Sequence, residues 1–167
     1  CENISNQVKE YFTTYRSERA NKFIVYFQNF TNTYDTISNL KSKYDSALID
    51  SRIVGLQIAT RPDCITKEYL DCLKKISEEY QVKISMEYGL QTVNYKTLNK
   101  INRGHTLAEY LDAVLMTAPY GFEICTHIIL NLPGHDGCDR DSKDSFCTSS
   151  ADRKITFSLY SQRIKNV

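Results

Sequence analysis

Apolar and polar positions along this chain alternate between two rhythms. Ile4, Val8, Phe12 and Tyr15 recur at helical spacing, with Tyr11 beside them, and predict an N-terminal helix with one apolar face. Phe23-Ile24-Val25-Tyr26-Phe27 is a short aromatic and β-branched run, the pattern of a buried strand. A polar string from Gln28 to Asp35 follows, and Ile37, Leu40, Tyr44, Ala47 and Leu48 return to helical spacing. The cycle then repeats. Arg52 to Ala59 reads as a strand and Thr60-Arg61-Pro62-Asp63 as its polar mouth. Thr66 caps a helix carrying Tyr69, Leu70, Leu73, Ile76 and Tyr80. Val82 to Leu90 is the third strand, with Glu87, Gly89, Gln91 and Thr92 toward its C-terminal end. Thr97, Leu98 and Ile101 give a short helix that ends near Gly104. Thr106 with Glu109 is a capping box. It opens a helix bearing Leu107, Tyr110, Leu111, Val114 and Leu115, which Pro119 and Gly121 stop. Glu123 to Leu132 is the fourth strand, and Pro133-Gly134 is a turn.

Strand starts near Phe23, Ile53 and Ile84 lie about 30 residues apart, the length of one βα unit. Such alternation predicts an α/β protein with a parallel sheet and right-handed connections. Two architectures compete, a doubly wound open sheet and a (β/α) barrel, whole or partial. No Gly-rich phosphate loop follows any strand, which counts against a dinucleotide-binding open sheet. Every strand ends in polar side chains, as at the catalytic face of (β/α) barrels, so a partial barrel is preferred. From Asp136 to Arg153 the periodicity is lost, and Lys154 to Tyr160 carries the pattern of one more strand. The division expected is a partial barrel core over 1–135 and an atypical tail over 136–167, which also suits a disordered or frameshifted reading.

Composition narrows the picture. The 167 residues suit one domain. The 21 basic and 20 acidic side chains give no field that points to nucleic acid or a membrane. No apolar run approaches the roughly 20 residues that span a bilayer, and no signal-peptide pattern opens the chain. The six cysteines are scattered, with no close pair at metal-ligand spacing, which suits free thiols in the cytoplasm. Cys125 lies in an apolar run and reads as a small core residue. Chain position 1 is Cys rather than Met, which suits a piece of a longer protein.

If the strand C-termini share one face, they gather Gln28, Asn29, Asn32 and Thr33 with Thr60, Arg61 and Asp63, with Glu87, Gln91 and Thr92, and with Thr126, His127 and Asn131. Such a rim of amides and hydroxyls suits a hydrogen-bonding ligand with ribose or amino-acid groups. Plainer roles compete. Arg61 and Asp63 suit a simple ion pair that closes their loop, and Glu87 suits a pair with a neighbouring Arg or Lys. His127 alternates with apolar neighbours and reads as a hydrogen-bonded core residue rather than a ligand. His105 reads as part of a structural turn. The sequence offers no nucleophile beside a base and no His and carboxylate cluster at metal spacing.

Five strings stand in register: Phe27-Gln28-Asn29-Phe30-Thr31-Asn32-Thr33-Tyr34, Thr60-Arg61-Pro62-Asp63-Cys64, Gly89-Leu90-Gln91-Thr92, Ile101-Asn102-Arg103-Gly104-His105, and Cys125 to Gly134. Together they resemble radical S-adenosylmethionine proteins of the YhcC type, relatives of the Elp3 and oxygen-independent coproporphyrinogen oxidase group. The resemblance covers about Ile4 to Gly134. It implies a truncated radical-SAM core, strands two to five of a partial (β/α) barrel. It implies S-adenosylmethionine and a [4Fe-4S] cluster as cofactors, an electron donor such as flavodoxin or ferredoxin, and a substrate it does not name. Carried over by position, Gln28, Asn29 and Thr31 are expected near the methionine amino group. Glu87 and Gln91 are expected near the ribose or methionine part, and Ile128, Asn131 and Gly134 near adenine. Thr60, Arg61 and Asp63 are expected to face cofactor or substrate. The family's Cys-x3-Cys-x2-Cys loop does not occur here, so its position is expected upstream of residue 1, and the chain alone is expected to lack the cluster. Two alternatives stand beside this reading: a cluster-free partial barrel that serves as a binding or interaction module, or is non-functional, and a (β/α) barrel hydrolase or lyase using Glu87 and Asp63 as acid and base.

Overall fold

Each α-helix among the described residues starts on a side chain that caps it. The computed structural model describes residues 3–29, 31–129, 132 and 165–166. Asn3 opens α1 (Ile4–Phe12), Thr36 opens α2 (Ile37–Asp45) and Thr66 opens α3 (Lys67–Tyr80). Asn94 opens α4 (Tyr95–Lys100), and the Thr106–Glu109 capping box opens α5 (Leu107–Thr117). These side-chain oxygens accept from backbone N–H groups that the first helical turn leaves without partners.

Between the helices run β1 (Phe23–Phe27), β2 (Ile53–Thr60), β3 (Lys83–Gln91) and β4 (Glu123–Ile128). The four are parallel and lie in sequence order, β4-β3-β2-β1. A two-residue β5 (Lys165–Asn166) pairs antiparallel with β1 at the edge. A doubly wound sheet reverses its strand order part-way; this one does not. An unreversed order with right-handed crossovers places the connecting helices on one face, as in a barrel wall.

That helix-bearing face is the core. Val25, Phe27, Leu56, Ile58, Ile84, Met86 and Tyr88 project from the strands into Leu40, Tyr44, Leu70, Leu73, Ile76 and Ala113 of the helices. Two hydroxyl pairs stitch it: Tyr44 with Tyr69 at 2.8 Å, and Tyr88 with Thr117 at 2.6 Å. Because strand side chains alternate, the opposite face receives Tyr26, Gln57, Ser85, Glu87, Cys125 and His127. Their registers agree: Tyr26 pairs with Gln57, Gln57 with Ser85, and Glu87 with Cys125.

Several boundaries differ from the pattern. The first helix stops at Phe12 and gives way to a 3₁₀ turn, Tyr15–Arg19, leaving Tyr15 62% exposed rather than on the apolar face. The fourth strand ends at Ile128, not Leu132. The ladder shifts register between Gly89 and Gln91, Gln91 turns to φ 69, and pairing resumes at Gln91 with Ile128. The expected strand over Lys154 to Tyr160 lies outside the described residues, as does most of the expected 136–167 tail. Ile58 is fully buried in β2 between two neighbouring strands. Ile58→Ala is expected to lower the unfolding free energy by about 2–5 kcal/mol, read as a fall in the urea midpoint at unchanged slope.

Candidate functional site

Glu87 is the centre of the polar face. It sits in mid-strand opposite Ala59 on one side and Cys125 on the other, and only 2% of it is exposed. A carboxylate so placed must be hydrogen-bonded or paired. Tyr26 Oη, two strands away, donates to Glu87 Oε2 at 2.5 Å. Gln57 Nε2, on the intervening strand, donates to Oε1. His127 Nε2 lies 2.9 Å from Oε2. The close Cys125 and Glu87 side chains push the imidazole up to about 9, against burial, which lowers it. At neutral pH the His127 imidazole is therefore held protonated beside the Glu87 carboxyl, at the distance of a partly buried salt bridge.

The C-terminal end of β3 is strained. Gln91 has φ 69, a region that side chains other than glycine rarely adopt. Thr92 N–H donates to Leu90 O at 2.9 Å, which closes a three-residue turn around Gln91. Ile129 N–H donates to Gln91 O at 2.9 Å and ties the turn to β4. Beneath it, Gly89 has no room for a side chain: a Cβ there meets Arg103 Nη2 at 2.7 Å and Gln91 Nε2 at 2.8 Å. Arg103 Nη2 donates to Gly89 O at 3.0 Å, and His105 Nε2 lies 2.9 Å from the same oxygen. His105 is buried and braces this end of the strand, in keeping with a structural turn.

The predicted residues fall into distinct groups. Gln28, on the same strand parity as Tyr26, has its Oε1 buried without a partner, and so does Gln91. Gln28 and Gln91 thus place two orphaned amide oxygens on this one face. Orphaned buried atoms ask for a partner. Thr60 turns the other way, its hydroxyl 2.7 Å from Thr33 in the buried layer. Asn32 ties Phe27 O and Ala59 O together and is a loop brace. Arg61 grips Asp63 through Nε and Nη2, at 2.9 and 2.6 Å, and its Nη2 reaches Gly104 O at 3.2 Å. Burial works to raise the Asp63 carboxyl, but this grip holds it below the usual range. Asn29 is exposed and Thr31 half-buried; Ile128 closes β4 opposite Gln91. Asn131 and Gly134 lie outside the described residues.

Three parts of the face were not foreseen. Tyr26 and Gln57 lie inside strands, not at their mouths, and only their shared parity with Glu87 marks them. Cys125 is half-buried on the polar face rather than part of the core. The sequence offers no metal spacing, yet the ladder brings ligand atoms of Glu87, Cys125 and His127 within 4.8 Å of one another.

Residues 4–145 match the sequence model of the Radical SAM superfamily. This chain belongs to that superfamily. It is 39% identical over 116 residues to Protein YhcC of Escherichia coli K12, which is 70% of this chain and 37% of that one. It is 40% identical over 115 residues to YtqA of Bacillus subtilis, covering 69% of this chain and 35% of that protein. The fold is shared with Elp3 of Methanocaldococcus infernus, solved with an N-terminal deletion of residues 1–46. The TM-score is 0.66 at 17% identity, over 79% of this chain and 35% of that one. The radical SAM chain described here thus spans little more than a third of the length of these relatives.

Superfamily membership implies S-adenosylmethionine and a [4Fe-4S] cluster. The orphaned amides of Gln28 and Gln91 beside a fixed carboxylate fit a cationic, hydroxyl-bearing nucleoside such as S-adenosylmethionine. The cluster does not fit the described cysteines. Cys64 lies in the turn after β2, Cys72 in the helix-side core and Cys125 on the opposite face, so three thiolates do not converge.

The raised imidazole gives a pH dependence. A histidine at about 9 when folded and near 6.5 when unfolded contributes stability that is complete below about 6.5 and lost as pH rises through about 9. Wild-type unfolding free energy is expected to fall by roughly 1–3 kcal/mol across that window, a range discounted for partial exposure. His127→Gln is expected to flatten the fall in urea titrations made between those pH values.

Proposed function

We propose that this chain forms the S-adenosylmethionine-binding middle of a radical SAM enzyme, strands two to five of its barrel. The observation that carries the reading is the placement of the orphaned Gln28 and Gln91 amides on one face with the buried Glu87, in a chain whose residues 4–145 match the superfamily. When bound, S-adenosylmethionine supplies an adenosyl carbon activated by a sulfonium. The residues of this chain bind and orient it. Gln28 and Gln91 hydrogen-bond its amino-acid and ribose groups. Glu87 contributes a fixed negative charge that favours the cationic end, held in place by Tyr26 and Gln57. Arg61, locked to Asp63, lines the mouth near the Gly104 loop. The [4Fe-4S] cluster that the superfamily implies would supply the reducing electron, and its thiolates would have to come from outside the described residues.

A second reading, a cluster-free binding module, is favoured by one fact: the sequence has no Cys-x3-Cys-x2-Cys loop. The two readings separate on reconstitution with iron and sulfide under anaerobic conditions. A chain that binds S-adenosylmethionine and releases no 5′-deoxyadenosine on reduction supports the module for the chain as it stands.

Gln91→Gly separates binding from folding. It removes the amide and relieves the positive φ. Calorimetric titration with S-adenosylhomocysteine is expected to show affinity weakened about tenfold, the worth of one buried hydrogen bond. The melting temperature is expected to hold or rise. Unchanged affinity in the variant, or no binding by the wild type, contradicts the assignment.

A further inference from the structure

The geometry points to a binding site for one zinc-type divalent metal ion formed by Glu87, Cys125 and His127. Their ligand atoms all lie within 4.8 Å of one another, close enough for a single ion to reach a carboxylate oxygen, a thiolate and an imidazole nitrogen. The donor set is selective. A thiolate with an imidazole suits Zn²⁺ and its neighbours in the transition series, whereas Mg²⁺ and Ca²⁺ prefer oxygen alone. Three protein ligands leave a fourth position open, the pattern of a zinc site that keeps a water.

Two further observations support the site. His127 Nε2 is buried and lacks an aligned hydrogen-bond partner, although Glu87 is close. Glu87 is also oriented from behind, by Tyr26 on one oxygen and Gln57 on the other, which is how outer partners fix a carboxylate ligand. A carboxylate has about four lone-pair directions, so these two bonds leave room for an ion. All three ligands project from the middle of adjacent strands β3 and β4, whose backbone ladder pairs Glu87 with Cys125 directly and Gly89 with His127. A site on two paired strands is rigid, unlike one on loops. The proposed cofactor site shares Glu87 but takes its amides from Gln28 and Gln91, and metal binding is read without nucleoside, so failure of one is distinguishable from failure of the other.

The test is titration of the full chain with Co²⁺ under reducing, anaerobic conditions and without nucleoside. One equivalent is expected to bind, with thiolate-to-cobalt charge-transfer absorption and four-coordinate ligand-field bands, and Zn²⁺ is expected to displace it. Cys125→Ser is expected to abolish the charge-transfer band, and His127→Gln to weaken binding at least about tenfold. Cys64→Ser and Cys72→Ser are expected to leave the band unchanged. Should Cys125→Ser fail to fold, alkylation of the wild type replaces it: Zn²⁺ is expected to slow iodoacetamide labelling of Cys125, read by peptide mass spectrometry, and not that of Cys64. Absence of a stoichiometric cobalt complex overturns the site. So does a band that survives Cys125→Ser, or zinc protection that is equal at Cys64.

Discussion

The burial of Glu87 constrains how the strands of this fold align. A carboxylate that is 2% exposed, in the middle of a sheet, stays charged only where neighbours replace the water it has lost. Those neighbours come from far along the chain. Tyr26 lies 61 positions upstream and Gln57 lies 30 upstream. Each reaches Glu87 only because the strands are parallel, in order and in the observed register. A one-residue slip in any strand sends the partner to the apolar face and leaves the charge alone. The same constraint keeps His127 protonated well above its ordinary range. The polar face therefore specifies the register alongside the apolar core.

The two faces of the sheet divide the work. The helix side is closed by aliphatic packing and satisfied hydroxyl pairs. The other side keeps a fixed charge, two orphaned amides and a half-buried thiol. Between them, the strained turn at Gln91 is braced by Arg103, His105 and the missing side chain of Gly89. Strain held by surrounding structure at a ligand face is a common device for presenting a side chain. The chain covers little more than a third of YhcC, YtqA and the archaeal Elp3.

Much of the fold was legible because it is written in periodicity. FIVYF predicted β1, Thr66 and Thr106 predicted their helices, and the 30-residue spacing predicted a parallel sheet. The candidate site was legible at the strand mouths, where Gln28 and Gln91 stand. It was not legible inside the strands. Tyr26 and Gln57 look like ordinary alternating positions until the register places them on Glu87. Cys125 looked apolar because its sequence neighbours are, yet its neighbours in space are a carboxylate and an imidazole. Tyr15 failed for a local reason: the helix turns 3₁₀ after Phe12, and the helical phase is lost. The end of β4 was not legible because the apolar run continues past Ile128.

The central claim is that the Glu87 face, rather than the helix side or the outer loops, receives the nucleoside. Amide and side-chain chemical-shift mapping of the isotope-labelled chain during S-adenosylhomocysteine addition tests it directly. The account predicts shifts concentrated at Tyr26, Gln28, Gln57, Glu87, Gln91 and His127, with little change at Leu70 and Ile76. Shifts confined to the helix side, with Glu87 and its partners unmoved at saturation, contradict it.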